Sequence, residues 1–591
     1  MKIELRPFLD TDVVNIDYET SSLEARSGKI FSASYTWISD GYTEVHRFSG
    51  AIRFYDSDEK EIGRGQADFR PRLAAFWASK CQAVAHNLKF ELHFTIEECY
   101  AINPFKILHD TMIMSQYIDN LCPNHGLDYL FNRFHGEKVE WITEADKNVS
   151  KAIKIYGSYD KIPEELMYTY QLGDGIRGAL LYRLFWPLIT IPGEYWYEIQ
   201  LIRVTVEMER RGLMIDRKQS NALIDNMRVE LKLNEIKTRK ITGRYVNLLS
   251  EKQLKQLLFL ELGFPEMDST DKNAILTIDH PIVDCIQKAR AYTKGIAMIE
   301  GYLKAADEKD CIHPNIRTNK AGTGRETSEN PNVQNISKEF KAGTIYTVPA
   351  RRCFRGRPGY VFLLVDYSGI EMRLAVQGTN SNKLFKLCED GYDFHASCAW
   401  SFYGDHYDKE KDPELKSALR SRAKNARFAM LYGAGLEQTA RTLGLTVDEV
   451  RAGYERDKKD FPEFYELMDR CTHDARKQGY ITTYFGRKLR VPLDRPYAAT
   501  DYLIQGSAAG LFKHAQVNVA NYFKRAGLDC HIIIPVHDEL VIEVKRGTPL
   551  KALTQAIAEK MTDCIQIKVK LDVAFSIATY TWDKKESYKP L

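Results

Sequence analysis

The chain has no run of 18 apolar residues, no cationic-then-apolar start in its N-terminal MKIELRPFLD, no low-complexity tract and no internal repeat. The first two absences argue against a helical membrane span and a secretion signal. None of the eleven cysteines has CxxC or zinc-knuckle spacing. They read as reduced, mostly buried thiols of a cytoplasmic protein, not as a disulfide frame or metal site. An excess of one charge is missing too, since 83 Lys and Arg face 80 Asp and Glu, for a formal net charge of +3. Bulk polycation behaviour is excluded. Any nucleic-acid contact must come from local clusters such as residues 338–357 and 416–427, and its affinity would fall steeply with salt. A length of 591 residues leaves room for about three or four domains with substantial cores.

The most informative stretch is residues 420–433, RSRAKNARFAMLYG, which sets Arg420, Lys424, Phe428 and Tyr432 at four-residue spacing ahead of a glycine. Each such step drifts only ~40° around a helix, so the four side chains make one stripe. Two cations followed by two rings suit a nucleoside triphosphate, with phosphates at the basic end and base and sugar at the aromatic end. A cationic stripe is more often a solvated helix face. The flanking chemistry points the other way. Residues 361–365 form an apolar run ending at Asp366, and residues 531–544, HIIIPVHDELVIEV, read as a hairpin with His537, Asp538 and Glu539 between two β-rich runs. Acids at a hairpin tip are ordinarily turn formers. Two carboxylates on adjacent strands can also bracket a pair of Mg²⁺ ions ~3.5–4 Å apart and drive in-line displacement at phosphorus.

With these residues in view, the chain resembles the A family of DNA polymerases, which contains bacterial DNA polymerase I and its phage relatives. Asp366-Tyr367-Ser368 through Glu371 resembles the first palm motif, residues 420–433 the nucleotide-binding fingers helix, and Val536-His537-Asp538-Glu539 the last palm motif. Thr323-Gly324-Arg325 with Asn332-Val333-Gln334-Asn335, then Phe485-Gly486-Arg487, then Gln505-Gly506-Ser507-Ala508-Ala509 fall in the family's order. The likeness covers nearly the whole chain. It implies Asp366 and Asp538 as ligands of two Mg²⁺ ions (Mn²⁺ as a substitute), the Tyr367 carbonyl as a further ligand, and Glu539 as a weaker contributor. It also implies Arg420, Lys424 and His395 on the triphosphate, Phe428 on sugar and base, and Tyr432 on the templating side. Arg325, Asn332, Gln334, Asn335, Gln505 and His537 would lie along the primer–template minor groove, where purine N3 and pyrimidine O2 are common to all correct pairs.

The resemblance divides the chain into an α/β, ribonuclease H-like exonuclease domain (1–190), a thumb (191–311), a palm (312–376 and 498–591) carrying an antiparallel sheet, and fingers (377–497). In the first domain residues 13–16 read as a strand delivering Asp17 and Glu19 to one face. Glu91 follows in HNLKFE, and Tyr170 and Asp174 share a helix side. Any one pair is more often a cap or surface charge. The set resembles a DEDD-type 3′→5′ exonuclease of the tyrosine subtype, with two metals on Asp17, Glu19, Glu91 and Asp174 and with Tyr170 orienting the attacking water. The segments His109-Asp110-Thr111 and His125-Gly126-Leu127-Asp128 resemble its supporting parts. In the thumb Ser250 reads as an N-cap, and Asn247 and Ser250 resemble a tip that tracks the duplex backbone.

Four departures qualify the likeness. Glu91 stands where the family has Asp, and its longer side chain could detune the second metal. Gly369, Tyr497 and Asp501 replace the usual Gln, Arg and Asn. Their expected location near the nascent pair suggests altered fidelity or a modified base such as 2-aminoadenine, whose added amino group projects into the minor groove. Asn247 to Arg325 leaves no space for a thioredoxin-recruiting thumb insertion, and neither a 5′-nuclease nor a helicase domain is recognised. The compact build with proofreading acids points to a monomeric bacteriophage replicative polymerase in a bacterial cytoplasm, taking primer–template DNA and dNTPs. A single-subunit RNA polymerase is disfavoured by Glu371, whose bulk would exclude a 2′-hydroxyl, and by the exonuclease acids. An inert DNA-binding module is disfavoured because Asp366 and Asp538 are both present.

Overall fold

The computed structural model of the chain describes residues 5–135, 139–267, 270, 275, 278–318, 320–336 and 348–589. The first part of the basic stretch 338–357 lies outside them. The architecture is mixed α/β over several cores, as expected, and among the described residues no helix is long and apolar enough to cross a membrane.

The N-terminal sheet has seven strands, β1 (Val13–Thr20), β2 (Ile30–Trp37), β3 (Thr43–Arg47), β4 (Ala51–Tyr55), β5 (Glu61–Gln66), β6 (Gln82–Ala85) and β7 (Leu108–Asp110). Their order is β5-β4-β3-β2-β1-β6-β7. The first five strands form an antiparallel meander, and β6 and β7 add in parallel beside β1. Buried Val14, Ile16, Tyr35, Trp37, Phe76 and Trp77 fill the core. The helix Glu164–Phe185 lies against β1 and β2 because two of its residues carry no side chain. A Cβ at Gly178 would sit 2.4 Å from Asn15 Oδ1, and one at Gly175 would sit 2.7 Å from Thr36 Oγ1. Asn15 Nδ2 instead donates to the Gly175 carbonyl at 3.2 Å. This close approach brings Asp174 over the acids of β1.

The second sheet is antiparallel and five-stranded. It comprises β8 (Tyr360–Tyr367), β9 (Cys530–Val536), β10 (Glu539–Lys545), β11 (Val573–Ala578) and β12 (Lys585–Tyr588), in the order β9-β10-β8-β11-β12. The central strand β8 is buried along Val361–Val365, as its apolar run requires. It extends past Asp366, which pairs with Glu539 on β10 and Ala574 on β11. The long helix Ala499–Arg525 packs Ile504, Ala508, Leu511 and Phe512 into the same core. Between these segments lies a helical region whose helix Pro413–Leu431, capped by Asp412, carries the basic-aromatic stripe. Buried Arg427 anchors that helix by pairing with buried Asp457, to which the Tyr465 hydroxyl donates at 3.0 Å.

The helix Pro192–Arg211 contacts both sheets' halves through charge pairs, and Gln116 and Asn120 add direct contacts to Arg487 and Arg490. Glu198 receives buried Lys513 Nζ at 2.6 Å, and Glu209 receives Lys89 Nζ at 2.7 Å. Farther along, Arg217–Thr242 and Pro281–Ala305 run beside each other. Ser250 caps the short helix Glu251–Lys255, its hydroxyl accepting from Gln253 N at 3.4 Å.

Candidate active sites

At the second sheet, β9 and β10 are joined by His537 and Asp538 alone. His537 takes φ 57, a left-handed conformation that favours glycine and that a side chain adopts at a cost of ~1–3 kcal/mol. The turn carries Asp538 next to Asp366 on β8, and Tyr367 N–H donates to the Asp538 carbonyl at 3.4 Å. The Tyr367 hydroxyl points into the core and donates to the Met561 carbonyl at 2.6 Å, so only the backbone of Tyr367 can face the site. Two half-buried carboxylates and a carbonyl at adjoining strand ends form a hard-oxygen donor set that fits divalent cations.

Glu539 has a different setting from the one expected beside the aspartates. It is buried, and it accepts from Arg351 Nη1 at 2.9 Å and Lys585 Nζ at 2.6 Å. The two cations engage its carboxylate from within the fold, so it holds the hairpin instead of presenting an oxygen to solvent. Sequence reading missed both partners because they come from distant segments.

A cleft of about 140 Å³ runs beside Asp538, lined by Arg325, Asn332, Gln334, Asn335, Lys513 and His537 among others. Five of the expected DNA-contacting residues thus gather there. Gln334 ties the cleft wall to the hairpin strand by donating to the Pro535 carbonyl at 3.0 Å, and Asn332 Oδ1 accepts from Asn335 N at 3.2 Å. Gln505 stands farther along on the Ala499–Arg525 helix, close to the Tyr432 hydroxyl. Asn247 and Ser250 sit apart in their own capping turn.

On the stripe, Phe428 and Tyr432 stack at 5.9 Å and His395 meets Phe428 edge-on at 5.6 Å. Burial, then the neighbouring Lys424, Arg420 and Arg427, push the His395 imidazole down to about 4, so it is neutral near pH 7. Arg420 is engaged by both oxygens of Asp393, at 2.7 and 2.9 Å. The same carboxylate caps the helix Phe394–Tyr403. Glu371 pairs with Arg325. Burial, then Glu371 and Asp501, hold the Tyr432 phenol above its ordinary range. Burial lifts Asp501 to about 6 against the pull of Arg325, and its buried Oδ1 has no hydrogen-bond partner. The Tyr497 ring lies over Gly433, where a Cβ would come 2.2 Å from Cδ2. Gly369 has a backbone reason for its identity, since it begins the helix Ile370–Thr379 at φ 65.

The N-terminal sheet holds the second acidic group. Carboxylate oxygens of Asp17, Glu19 and Asp174 lie within 4.8 Å of one another. Burial and mutual repulsion raise Asp17 and Glu19 well above the carboxylate range, and burial leads in lifting Asp174 to about 7. Glu91 is buried on the helix Leu88–Glu97 and is raised by burial and then by Asp17. Asp17 Oδ2 and Glu91 Oε2 are buried without a hydrogen-bond partner. Crowded carboxylates with unused oxygens fit a cation-binding site. Tyr170 stands beside Asp174, whose charge leads in raising its phenol.

The quoted supporting segments meet here. His86 Nδ1 contacts the Thr111 hydroxyl at 2.8 Å, and Nε2 contacts the His125 carbonyl at 3.0 Å. Asp110 accepts from the backbone N–H groups of Asn87, Leu88, Met112 and Ile113, fixing the helix that presents Glu91. Arg177, which sequence reading passed over, bridges Asp174, Asp128 and Asp146. Its i, i+3 spacing from Asp174 was the available signal.

Residues 217–584 match DNA polymerase family A, and the chain belongs to that family. It is 23% identical to DNA polymerase I of Pseudomonas aeruginosa over 98% of this chain and 64% of that protein. It is 30% identical to the thermostable DNA polymerase I of Thermus filiformis over 64% of this chain and 47% of that one. With DNA polymerase I of Borreliella burgdorferi the identity is 26% over 92% of this chain and 60% of the relative. The chain therefore spans about half to two thirds of these relatives' length. The fold is shared with the POL domain of Pol1 from M. smegmatis, solved in complex with DNA primer-template and dNTP. That likeness has a TM-score of 0.76 at 23% identity and covers 96% of this chain and 95% of the other.

Proposed function

We propose that this protein is a template-directed DNA polymerase that adds dNTPs to a primer 3′ end, with a 3′→5′ exonuclease in residues 1–190. The observation that carries the first part is the adjoining pair Asp366 and Asp538 at facing strand ends, in a chain that also bears Arg420, Lys424 and Phe428 on one helix and Tyr432 as its C-cap. In this reading the second sheet and the 499–525 helix are the palm, the helices between them the fingers, and residues 191–311 the thumb. Arg420 and Lys424 bind the triphosphate as charge-assisted donors. Phe428 and Tyr432 supply stacking faces for the incoming nucleotide and the template base. Arg325 and Glu371 fix each other beside the sugar, and Glu539 positions the Asp538 hairpin. The cleft beside Asp538 takes the primer terminus.

For the second part, the strand order with parallel additions beside β1 suits a ribonuclease H-like domain, and its acids crowd together with unused oxygens. Asp366, Asp538 and the Tyr367 carbonyl would hold divalent ions at one centre, and Asp17, Glu19, Glu91 and Asp174 at the other. Mg²⁺, or Mn²⁺ in its place, would there acidify the attacking hydroxyl or water and neutralise developing phosphate charge. Tyr170 would orient the water through its hydroxyl. Retained proofreading acids suit a replicative role, as in a monomeric bacteriophage enzyme acting in a host cytoplasm.

A 5′-labelled primer on a template tests both parts in one gel. Mg²⁺ with dNTPs is expected to lengthen the primer, and Mg²⁺ alone to shorten it. Absence of lengthening would overturn the polymerase reading, and absence of shortening the exonuclease reading.

One observation favours a finer specificity. With Tyr432 at the nascent pair, as this reading has it, the unpartnered Asp501 Oδ1 near Arg325 and Tyr432 would be an acceptor for a purine 2-amino group. Asp501 would then favour a base such as 2-aminoadenine. Equal incorporation of its triphosphate and dATP opposite thymine by the wild-type protein would reject this.

A further inference from the structure

Asp174 belongs to two acidic triads at once, one with Asp17 and Glu19 and one with Asp128 and Asp146. The two differ in how their charge is answered. The first contains an unpartnered oxygen, Asp17 Oδ2. The second is closed by the chain's own cation. Arg177 Nη1 donates to Asp174 Oδ1 at 2.6 Å and to Asp128 Oδ1 at 2.6 Å, and Nη2 donates to Asp146 Oδ2. Arg177 is only 3% exposed. Its partners arrive on three different helices, Leu127–His135, Glu140–Tyr156 and Glu164–Phe185.

We infer that Arg177 is a positioning residue of the exonuclease centre, taking one oxygen of Asp174 so that the other is turned toward Asp17 and Glu19. The inference rests on the exonuclease reading above. An aspartate on a helix can turn its carboxylate through several rotamers, and repulsion from Asp17 and Glu19 would drive Asp174 away from them. A guanidinium offers donors in a fixed planar fork, so holding two further carboxylates locks its own plane and, with it, the Asp174 oxygen. Asp128 and Asp146 therefore hold Arg177 and also answer its charge, which otherwise would oppose cation binding at the first triad. The arrangement also excludes the second triad as a cation site in this state, because the guanidinium fills it. Lysine, a point charge without the fork, would reproduce the neutralisation but only part of the orientation.

The test uses the full chain with Arg177→Met, Arg177→Lys and Asp146→Asn. Degradation of a 5′-labelled single strand is followed at saturating Mg²⁺ with dNTPs absent. Binding of Mn²⁺ alone is followed by electron paramagnetic resonance, in an Asp538→Asn background that silences the polymerase centre. By analogy with outer-shell residues at other metal sites, Arg177→Met should cut degradation and weaken Mn²⁺ binding by about 10–100-fold. Arg177→Lys should recover part of both, Asp146→Asn should cost several-fold, and primer extension in the native background should not change. If Arg177→Met fails to fold, the Lys and Asn variants still decide the matter. Wild-type degradation and Mn²⁺ binding in all three would overturn the inference. So would a loss of rate with unchanged Mn²⁺ binding that Lys does not relieve, the pattern of a merely structural residue. An Asp17→Ala/Glu19→Ala control separates the two levels. Undiminished digestion there rejects the exonuclease reading itself, whereas loss there with full activity in Arg177→Met rejects only the role of Arg177.

Discussion

Arg420, the first cation of the stripe, is engaged by a carboxylate of its own chain. Both oxygens of Asp393 engage it, at side-chain exposures of 39% for the arginine and 43% for the aspartate. On the proposed reading an incoming triphosphate must displace that carboxylate. A solvent-exposed pair is worth about 0.2–1 kcal/mol, because water screens it and two side chains lose freedom in forming it. Removing the competitor should therefore tighten dNTP binding by about 1.4- to 5-fold. Alanine is the wrong probe, since Asp393 also accepts from His395 N and Ala396 N at the start of the Phe394–Tyr403 helix, and losing a cap costs ~1 kcal/mol. Asp393→Ser keeps a capping oxygen and deletes the charge. Single-nucleotide insertion kinetics should show KM for the dNTP lowered within that range and kcat unchanged, because the contact is made equally in ground and transition states. The gain should shrink at high salt. An unchanged or raised KM at low salt, with the melting temperature preserved, would refute the competition and with it the role of Arg420.

Asp366→Ala or Asp538→Ala should abolish extension while primer–template affinity, measured by anisotropy, stays within a few-fold, since charge stabilisation made in the transition state is lost but phosphate contacts remain. Glu371→Ala should admit ribonucleotides in a primer-extension assay, and unaltered rejection would move the sugar gate elsewhere. Glu91→Gln should cripple single-strand digestion, whereas Glu91→Asp should preserve or raise it; a fully active Gln variant would dismiss Glu91 from the site. Burial lifts Asp501 to about 6, above the ~3.9 of an unfolded aspartate. The folded state thus holds this proton more tightly, and stability is lost as pH rises between those values, with the full penalty above about 6. Asp501→Asn should match wild type in melting temperature near pH 4 and exceed it at pH 7.5, and a difference constant across that range would contradict the assignment.

The strands carrying the two aspartates were readable because their signal is local. Val361–Val365 and the two runs around His537 are apolar and bounded by acids, and they fold as a buried strand and a hairpin. The helical stripe and the Ser250 cap were readable for the same reason, as spacing along one helix needs no partner. The antiparallel meander through residues 30–66 was not read, although Asp40-Gly41, Ser49-Gly50 and Asp56-Ser57-Asp58 mark its bends, because its pairing depends on which strands the fold brings together. Side-chain settings were lost wherever the partner comes from another segment. Glu539 looks like the aspartate beside it until Arg351 and Lys585 are seen to hold it. The Gly369 departure, read from location as a matter of base choice, answers a left-handed backbone at a helix start. Tyr497 does lie over Gly433, and Asp501 lies near Tyr432.

The relation between the two centres follows from the helix that joins them. Along Pro192–Arg211, Glu194 contacts His514, buried Glu198 contacts buried Lys513, and Glu209 contacts Lys89 and His93. The first two pairs face the helix Ala499–Arg525, and the third faces the helix Leu88–Glu97 that presents Glu91. Of these the Glu198–Lys513 pair is the most deeply buried, at side-chain exposures of 3% and 4%. Sliding the two halves past each other would break several of these contacts at once. On the proposed reading a mispaired 3′ end must then reach Asp17, Glu19 and Asp174 by movement of the DNA. The few base pairs nearest the terminus would have to open and the strand would have to cross the intervening surface. Mispaired ends open more readily than paired ones, so selectivity for them needs no recognition of the error by the exonuclease centre itself. On that reading it would follow from the cost of melting, with the cleft beside Asp538 competing for correctly paired ends.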